Sequence, residues 1–149
     1  MQDLSSDEIG EVVKLWSDTH NRCIAGTNLE KSGFVDPSGS QHIMNSFAAR
    51  TDNKVYFGEV LCLDGVATGL MFAARTGPSC AAIYTSICVQ GSRGASETQM
   101  IHFLSTLHAA GIETANLGGS ETDGLFRYKK KFLPKRLIEL TDFELCVGV

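Results

Sequence analysis

The paired glycines Gly118 and Gly119 are followed by Ser120 and Glu121, and within ten more residues come Tyr128, Lys129, Lys130 and Lys131. Residues of these types at this spacing suit the capture of an anion. Glycines adopt backbone geometry closed to other residues and leave amides open to approach, and fixed ammonium groups add charge-assisted hydrogen bonds. The charge around them is lopsided. Residues 127–136 hold Arg127, Lys129, Lys130, Lys131, Lys135 and Arg136, six of the 13 cations, and no acid. The rest of the chain sets seven cations against 17 acids, a net charge of −10. So acidic a remainder argues against general nucleic-acid binding and leaves a local anion site open. A solvated helix face with cations near its C-terminus would carry the same residues without any ligand.

The elements that would position these groups follow from periodicity. Leu125, Tyr128 and Phe132 share one face at helical spacing, the pattern of a helix docked on a sheet. Arg127, Lys130 and Lys131 point away from that face. Lys129, one turn after Leu125, borders it and is the cation held in place. Ser120 or Thr122 can cap this helix, and Asp123 suits its positive end.

Upstream, Ser5 and Glu8 form a capping box before Ile9, Val12, Val13 and Trp16, which predicts a helix over about residues 6–21. A turn-rich loop follows, and "SQHIMNSFAAR" is a second helix with Ile43, Met44 and Phe47 on one face. From residue 54 two strand-like runs meet at Asp64-Gly65, a hairpin signal, and "AAIYTSICVQ" is a third. "SETQMIHFLSTLHAAG" reads as a helix capped by Ser96 or Thr98. Met100, Phe103, Leu104 and Leu107 form its buried face, and Gly111 ends it. "ETANLG" is a short strand, "TDGLFRYKKKF" a short helix and "RLIELTDFELCV" a final strand. The sum is an α/β (α+β) fold: one domain over residues 1–149, with a mixed, mostly antiparallel sheet and helices on both faces.

Length and composition agree with one domain that buries a core, at 149 residues, 43% hydrophobic and 20% charged. The sequence has no long uncharged apolar run, so no membrane span is expected. Acids stand near the N-terminus where a signal peptide needs cations, which points to the cytoplasm. Five cysteines without a C-x-x-C pair fit reduced thiols, and the four histidines form no metal-ligand spacing. Cys88, inside an apolar strand, is a core thiol rather than a nucleophile. His102 and His108, six residues apart on a helix, fall on different faces and belong at its rim.

"NLGGSETDGLFRYKKKFLP" resembles the C-terminal signature of the Fem-type branch of the GNAT acyltransferase superfamily. That branch includes the FemABX peptidoglycan aminoacyltransferases and the C-terminal domain of bacterial phosphatidylglycerol lysyltransferases. The matching elements are Gly118, Gly119, Ser120 and Glu121, then Tyr128, Lys129, Lys131 and Phe132. The resemblance implies a GNAT-like domain that moves an acyl or aminoacyl group to an amine or hydroxyl. The donor would be acyl-CoA or aminoacyl-tRNA, with no further cofactor and no metal. Gly118, Gly119, Ser120, Lys129 and Lys131 would then bind the donor, although the two lysines could instead complete the fold. Tyr128 lies near the tyrosine that protonates the leaving thiolate in such enzymes, and it is equally well placed as core. Glu59, in the first strand, stands where some of them put a general base. Burial would raise its pKa toward that task, whereas a solvated edge glutamate would do nothing.

Two departures accompany the resemblance. In "VQGSRGASETQ", Arg93 and Gly94 occupy the place of the pyrophosphate-binding turn, but Ser96 and Thr98 replace its glycines and Glu97 repels phosphate. Fem-type transferases also use two such domains, and this chain has room for one. Either it pairs with a second copy, as a homodimer, or with another protein, or it keeps the fold as a non-catalytic binding or oligomerisation module.

Overall fold

The computed structural model describes residues 6–24, 55–89, 93–120 and 123–138. The expected helix over "SQHIMNSFAAR", the Ser5 cap and the final strand beyond residue 138 lie outside them. The chain divides into two compact units, Met1–Asn116 and Leu117–Val149.

In the first unit, α1 (Ser6–Ile24) is followed by β1 (Tyr56–Leu63), β2 (Val66–Gly77) and β3 (Cys80–Cys88). Then come α2 (Ala95–Ala109) and β4 (Thr114–Asn116). The strands form one sheet in the order β1-β2-β3-β4. β1–β2 and β2–β3 are antiparallel, and β3–β4 is parallel because α2 carries the chain back across the sheet. Asp64 (φ 52°) and Gly65 (φ 79°) close the first hairpin, the two consecutive positive φ values that a two-residue turn needs.

Helices cover both faces. Val60, Leu70 and Ile87 fall on one side, where Ile9, Val12 and Val13 of α1 pack against them and Trp16 joins the edge of the cluster. The helical period leaves Asp7, Glu11, Lys14 and Asp18 exposed on the outer side of α1. The alternate residues Glu59, Gly69 and Met71 face α2: Thr106 of α2 bonds Glu59, and the Gln99 side chain lies against Gly69. Met100, Phe103 and Leu107 of α2 are fully buried. Leu104 is only half-buried, and Gln99 takes the place on the buried face.

The two ends of α2 differ in how well they match expectation. Gly111 (φ 82°) stops the helix with paired bonds from Gly111 N to His108 O (2.9 Å) and from Ile112 N to Leu107 O (3.0 Å). This is the Schellman arrangement, with Ile112 buried beneath it. At the other end the N-cap is Gly94 (φ 82°, ψ −3°), without a side-chain cap. Neither Ser96 nor Thr98 caps. The helix begins at Ala95, so both already lie inside its first turns, beyond the capping position.

In the second unit, α3 (Asp123–Lys130) forms where the short helix was expected. Leu125, Tyr128 and Lys129 are half-buried, whereas Arg127, Lys130 and Lys131 are exposed, as the spacing predicts. Residues 131–138 lie outside helices and strands, so the beginning of "RLIELTDFELCV" at residues 136–138 is not strand.

Candidate functional site

The feature that sets this sheet apart is where pairing stops. β3 and β4 share three residue pairs, Cys80–Thr114, Ala81–Ala115 and Ala82–Asn116. Beyond Ala82, β3 runs on for six residues, and among the described residues its only ladder is with β2. A strand edge without a ladder partner offers a row of N–H and C=O groups to an extended ligand. Just past the last pair, β3 carries an extra residue. Phe72 opposes Thr85 and Ala73 opposes Ile83, so Tyr84 is bulged out between them. Bulges bend a strand and re-aim its side chains, and they concentrate beside functional sites.

β3 leads through Val89 to Arg93 and Gly94 at the start of α2. Both residues are exposed. The left-handed φ of Gly94 turns the chain into the helix, whose first-turn amides have no acceptor within the helix. The departure noted at this turn has a physical form. Ser96 Oγ donates to Glu97 Oε2 at 3.0 Å, which fixes a carboxylate in the first turn of α2. That carboxylate also reaches the adjoining strand: burial, and then the charge of Glu97, pushes the Cys88 thiol above its ordinary pKa. A thiol so perturbed is protonated and a poor nucleophile.

Glu59 is neither solvated nor free. Its side chain is 17% exposed, and its carboxylate accepts from Thr106 Oγ1 (2.5 Å) and pairs with His102 Nδ1 (3.0 Å). His102 itself is 75% exposed, so the Glu59 contact leaves the outer part of its ring in solvent. His102 is exposed, as expected of a rim position, and it also pairs with Glu59. The missed signal is that His102 and Thr106, four residues apart, share a helix face and can grip one acid on the strand beneath. Glu59 stands on β1, two strands and about 10 Å from β3.

In the second unit, the Lys129 ammonium donates to the Gly119 carbonyl. This bond ties the helix back to the glycine segment and makes Lys129 the held cation. Gly118 has φ 74°, and Ser120 is exposed. Tyr128 packs edge-on against Phe132, with centroids 5.2 Å apart at 76°. The exposed Lys131 lies 5.9 Å from the Tyr128 ring and Lys130 4.7 Å from the Phe126 ring. Glu59, Arg93 and Gly94 thus belong to the first unit, and Gly118, Gly119, Ser120, Tyr128, Lys129 and Lys131 to the second.

Solved structures share this fold. A transcriptional regulator from Bacillus halodurans C-125 matches with a TM-score of 0.65 at 11% identity, covering 97% of both chains. The PaiA N-acetyltransferase of Thermoplasma acidophilum, in complex with coenzyme A, gives 0.63 at 12% identity over 87% of this chain and 86% of its own. An aminoglycoside acetyltransferase from an uncultured soil sample, in complex with sisomicin, gives 0.61 at 10% identity over 97% and 93%. No family model and no curated protein matches the sequence. At such identities the likeness is one of fold. That fold is the expected GNAT-like one, a mixed, mostly antiparallel sheet with helices on both faces. Among the described residues no helix is long and apolar enough to cross a membrane, and no three His, Cys, Asp or Glu residues gather as a metal site.

Proposed function

We propose that the chain is a GNAT-type acyltransferase that passes an acyl group from acyl-CoA to an amine. The observation that carries this reading is the β3–β4 ladder, which ends after three pairs beside a bulge, so that beyond Ala82 the only ladder of β3 among the described residues is with β2. Acetyltransferases among the solved structures of like fold, one of them with coenzyme A bound, support it.

In this reading the amine nitrogen attacks the thioester carbonyl. The C–N bond forms as the C–S bond breaks, the nitrogen gives up a proton to a base, and the leaving thiolate takes one from an acid. Amides along β3 beyond Ala82 stabilise the oxyanion, since fixed donors need no rearrangement at the moment of reaction. Arg93 and Gly94 hold the donor's phosphates at the start of α2. Within the second unit, Lys129 orders Gly118–Ser120 through the Gly119 carbonyl, and the exposed Lys131 adds charge that suits an anion. Glu59 is the proposed base, reached through water because of its distance from β3.

Glu97 and Ser96 favour a second reading, because a carboxylate in the first turn of α2 repels a pyrophosphate. In it, the chain is a binding module that keeps the fold without the reaction. Thiol release from acetyl-CoA and longer acyl-CoAs, measured across a panel of amines, separates the two. Turnover that falls at least tenfold in Arg93→Ala fits the acyltransferase. Absence of turnover and of any thermal shift with coenzyme A fits the module. A shift with aminoacyl-tRNA alone would move the donor to the Fem-type chemistry.

A further inference from the structure

The bulge in β3 brings one large aromatic side chain to the surface. Ile83 pairs with Ala73 and Thr85 with Phe72, so no residue of β2 stands opposite Tyr84. Thr85 shares the α1 face with Phe72, and the alternation of a strand then sets Tyr84 and Ser86 on the α2 face. Ile83, opposite Ala73, faces the same way. Two neighbouring side chains therefore compete for one place on the sheet, and Ile83 takes it: Ile83 is 8% exposed and Tyr84 54%.

The position of this ring along the strand gives it a use. Tyr84 lies two residues past Ala82, the last β3 residue paired with β4. Tyr84, Ser86 and Cys88 follow one another along the α2 face of the strand, the first two exposed and the third half-buried. From Tyr84 to Cys88 the row runs about 13 Å, and the chain beyond it reaches Gly94 at the start of α2. A donor with its phosphates at Gly94, laid along the row, brings its reactive end toward Tyr84. The amine that attacks it arrives beside the Tyr84 ring.

The face of a tyrosine ring attracts cations, the more so where water is partly excluded. The surroundings favour the same charge: up to Asn116 the chain sets seven cations against 12 acids, a net charge of −5, which draws positive solutes toward it. An ammonium on a ring is held in its charged form, so the nitrogen seated there is not the one that attacks. We infer that Tyr84 selects the acceptor, its ring seating a second, non-reacting ammonium of a diamine or polyamine while the first nitrogen meets the thioester. This rests on the acyl-CoA reading above and adds to it the class of amine accepted. Selectivity follows: a diamine gains the ring contact, whereas an alkyl monoamine of equal length brings no charge to it.

The test compares wild type, Tyr84→Phe and Tyr84→Leu by steady-state kinetics with a linear diamine and the alkyl monoamine of equal length, beside coenzyme A titration and thermal melting. Wild type is expected to favour the diamine at least fivefold in kcat/KM, and Tyr84→Phe, which keeps the ring, to do the same. In Tyr84→Leu the diamine KM rises at least fivefold, while the monoamine KM and the coenzyme A Kd stay within twofold. The melting temperature holds, since more than half of the side chain is in solvent. Acyl transfer without a diamine preference in wild type, or a preference that survives in Tyr84→Leu, overturns the inference and leaves the acyltransferase reading standing. A loss in Tyr84→Phe as large as in Tyr84→Leu assigns the effect to the hydroxyl and overturns the ring as the seat. A well-folded wild type that neither binds coenzyme A nor releases thiol overturns the acyltransferase reading itself, and this inference with it.

Discussion

A carboxylate mostly out of water needs donors, and Glu59 has two, Thr106 and His102. Glu59→Ala leaves the Thr106 hydroxyl without its partner and is expected to cost about 1–3 kcal/mol, at roughly 2–4 °C of melting temperature per kcal/mol. Circular dichroism melting measures it. Glu59→Gln keeps an acceptor for Thr106 and should lose less stability, but it cannot take a proton. Were Glu59 the base, the low-pH limb of the kcat/KM profile would disappear in Glu59→Gln. Cys88 gives a second residue-level expectation. Its thiol lies above the ordinary value through burial and then Glu97, so it should alkylate more slowly than the exposed Cys62 at pH 8.5, and Glu97→Gln should speed it. The sign carries over to folding. An acid with a raised folded pKa contributes fully below its unfolded value, and that contribution is lost as pH rises through the folded one. The expectation of a shielded Cys88 thiol was legible in its apolar strand. The Glu59 clasp was not, because it joins residues 43 and 47 positions apart, a separation that only the folded packing of α2 on β1 closes.

Among the elements, α2 packs closely against β2 at Gly69. A Cβ on Gly69 would stand 2.7–2.9 Å from the Gln99 amide, itself 4% exposed with an unpartnered nitrogen. Gly69→Ala is therefore expected to cost about 1–3 kcal/mol through overpacking. Adding Gln99→Ala should recover much of that loss, and denaturant unfolding of both single variants and the double closes the cycle. Gly94 makes the contrast: nothing lies within 4 Å of its missing Cβ, so Gly94→Ala pays only for its positive φ, about 1 kcal/mol. The hairpin at Asp64-Gly65 and the stop at Gly111 could be read from the sequence, because each depends on a residue's own backbone preference. The α2 cap could not: Ser96 and Thr98 are good capping residues, but with Gly94 as the N-cap they lie two and four positions inside the helix.

On the scale of the whole chain, the order of elements follows from hydrophobic period and glycine placement, which is why helix, three strands, helix, strand and helix were all legible in the described residues. The site was less so. The end of the β3–β4 ladder and the bulge at Tyr84 are matters of register, which no local propensity encodes. The cation cluster at residues 127–136 was visible as composition, but the bond from Lys129 to Gly119 is what separates a held cation from the exposed Arg127, Lys130 and Lys131. The central claim is the proposal that the stretch of β3 beyond Ala82, past the end of its ladder with β4, receives an acyl-CoA. Amide hydrogen exchange with and without saturating coenzyme A, read by mass spectrometry, tests it most directly. The account predicts that peptides covering residues 83–88 slow their exchange at least tenfold on binding. Binding that leaves those amides unchanged would contradict it.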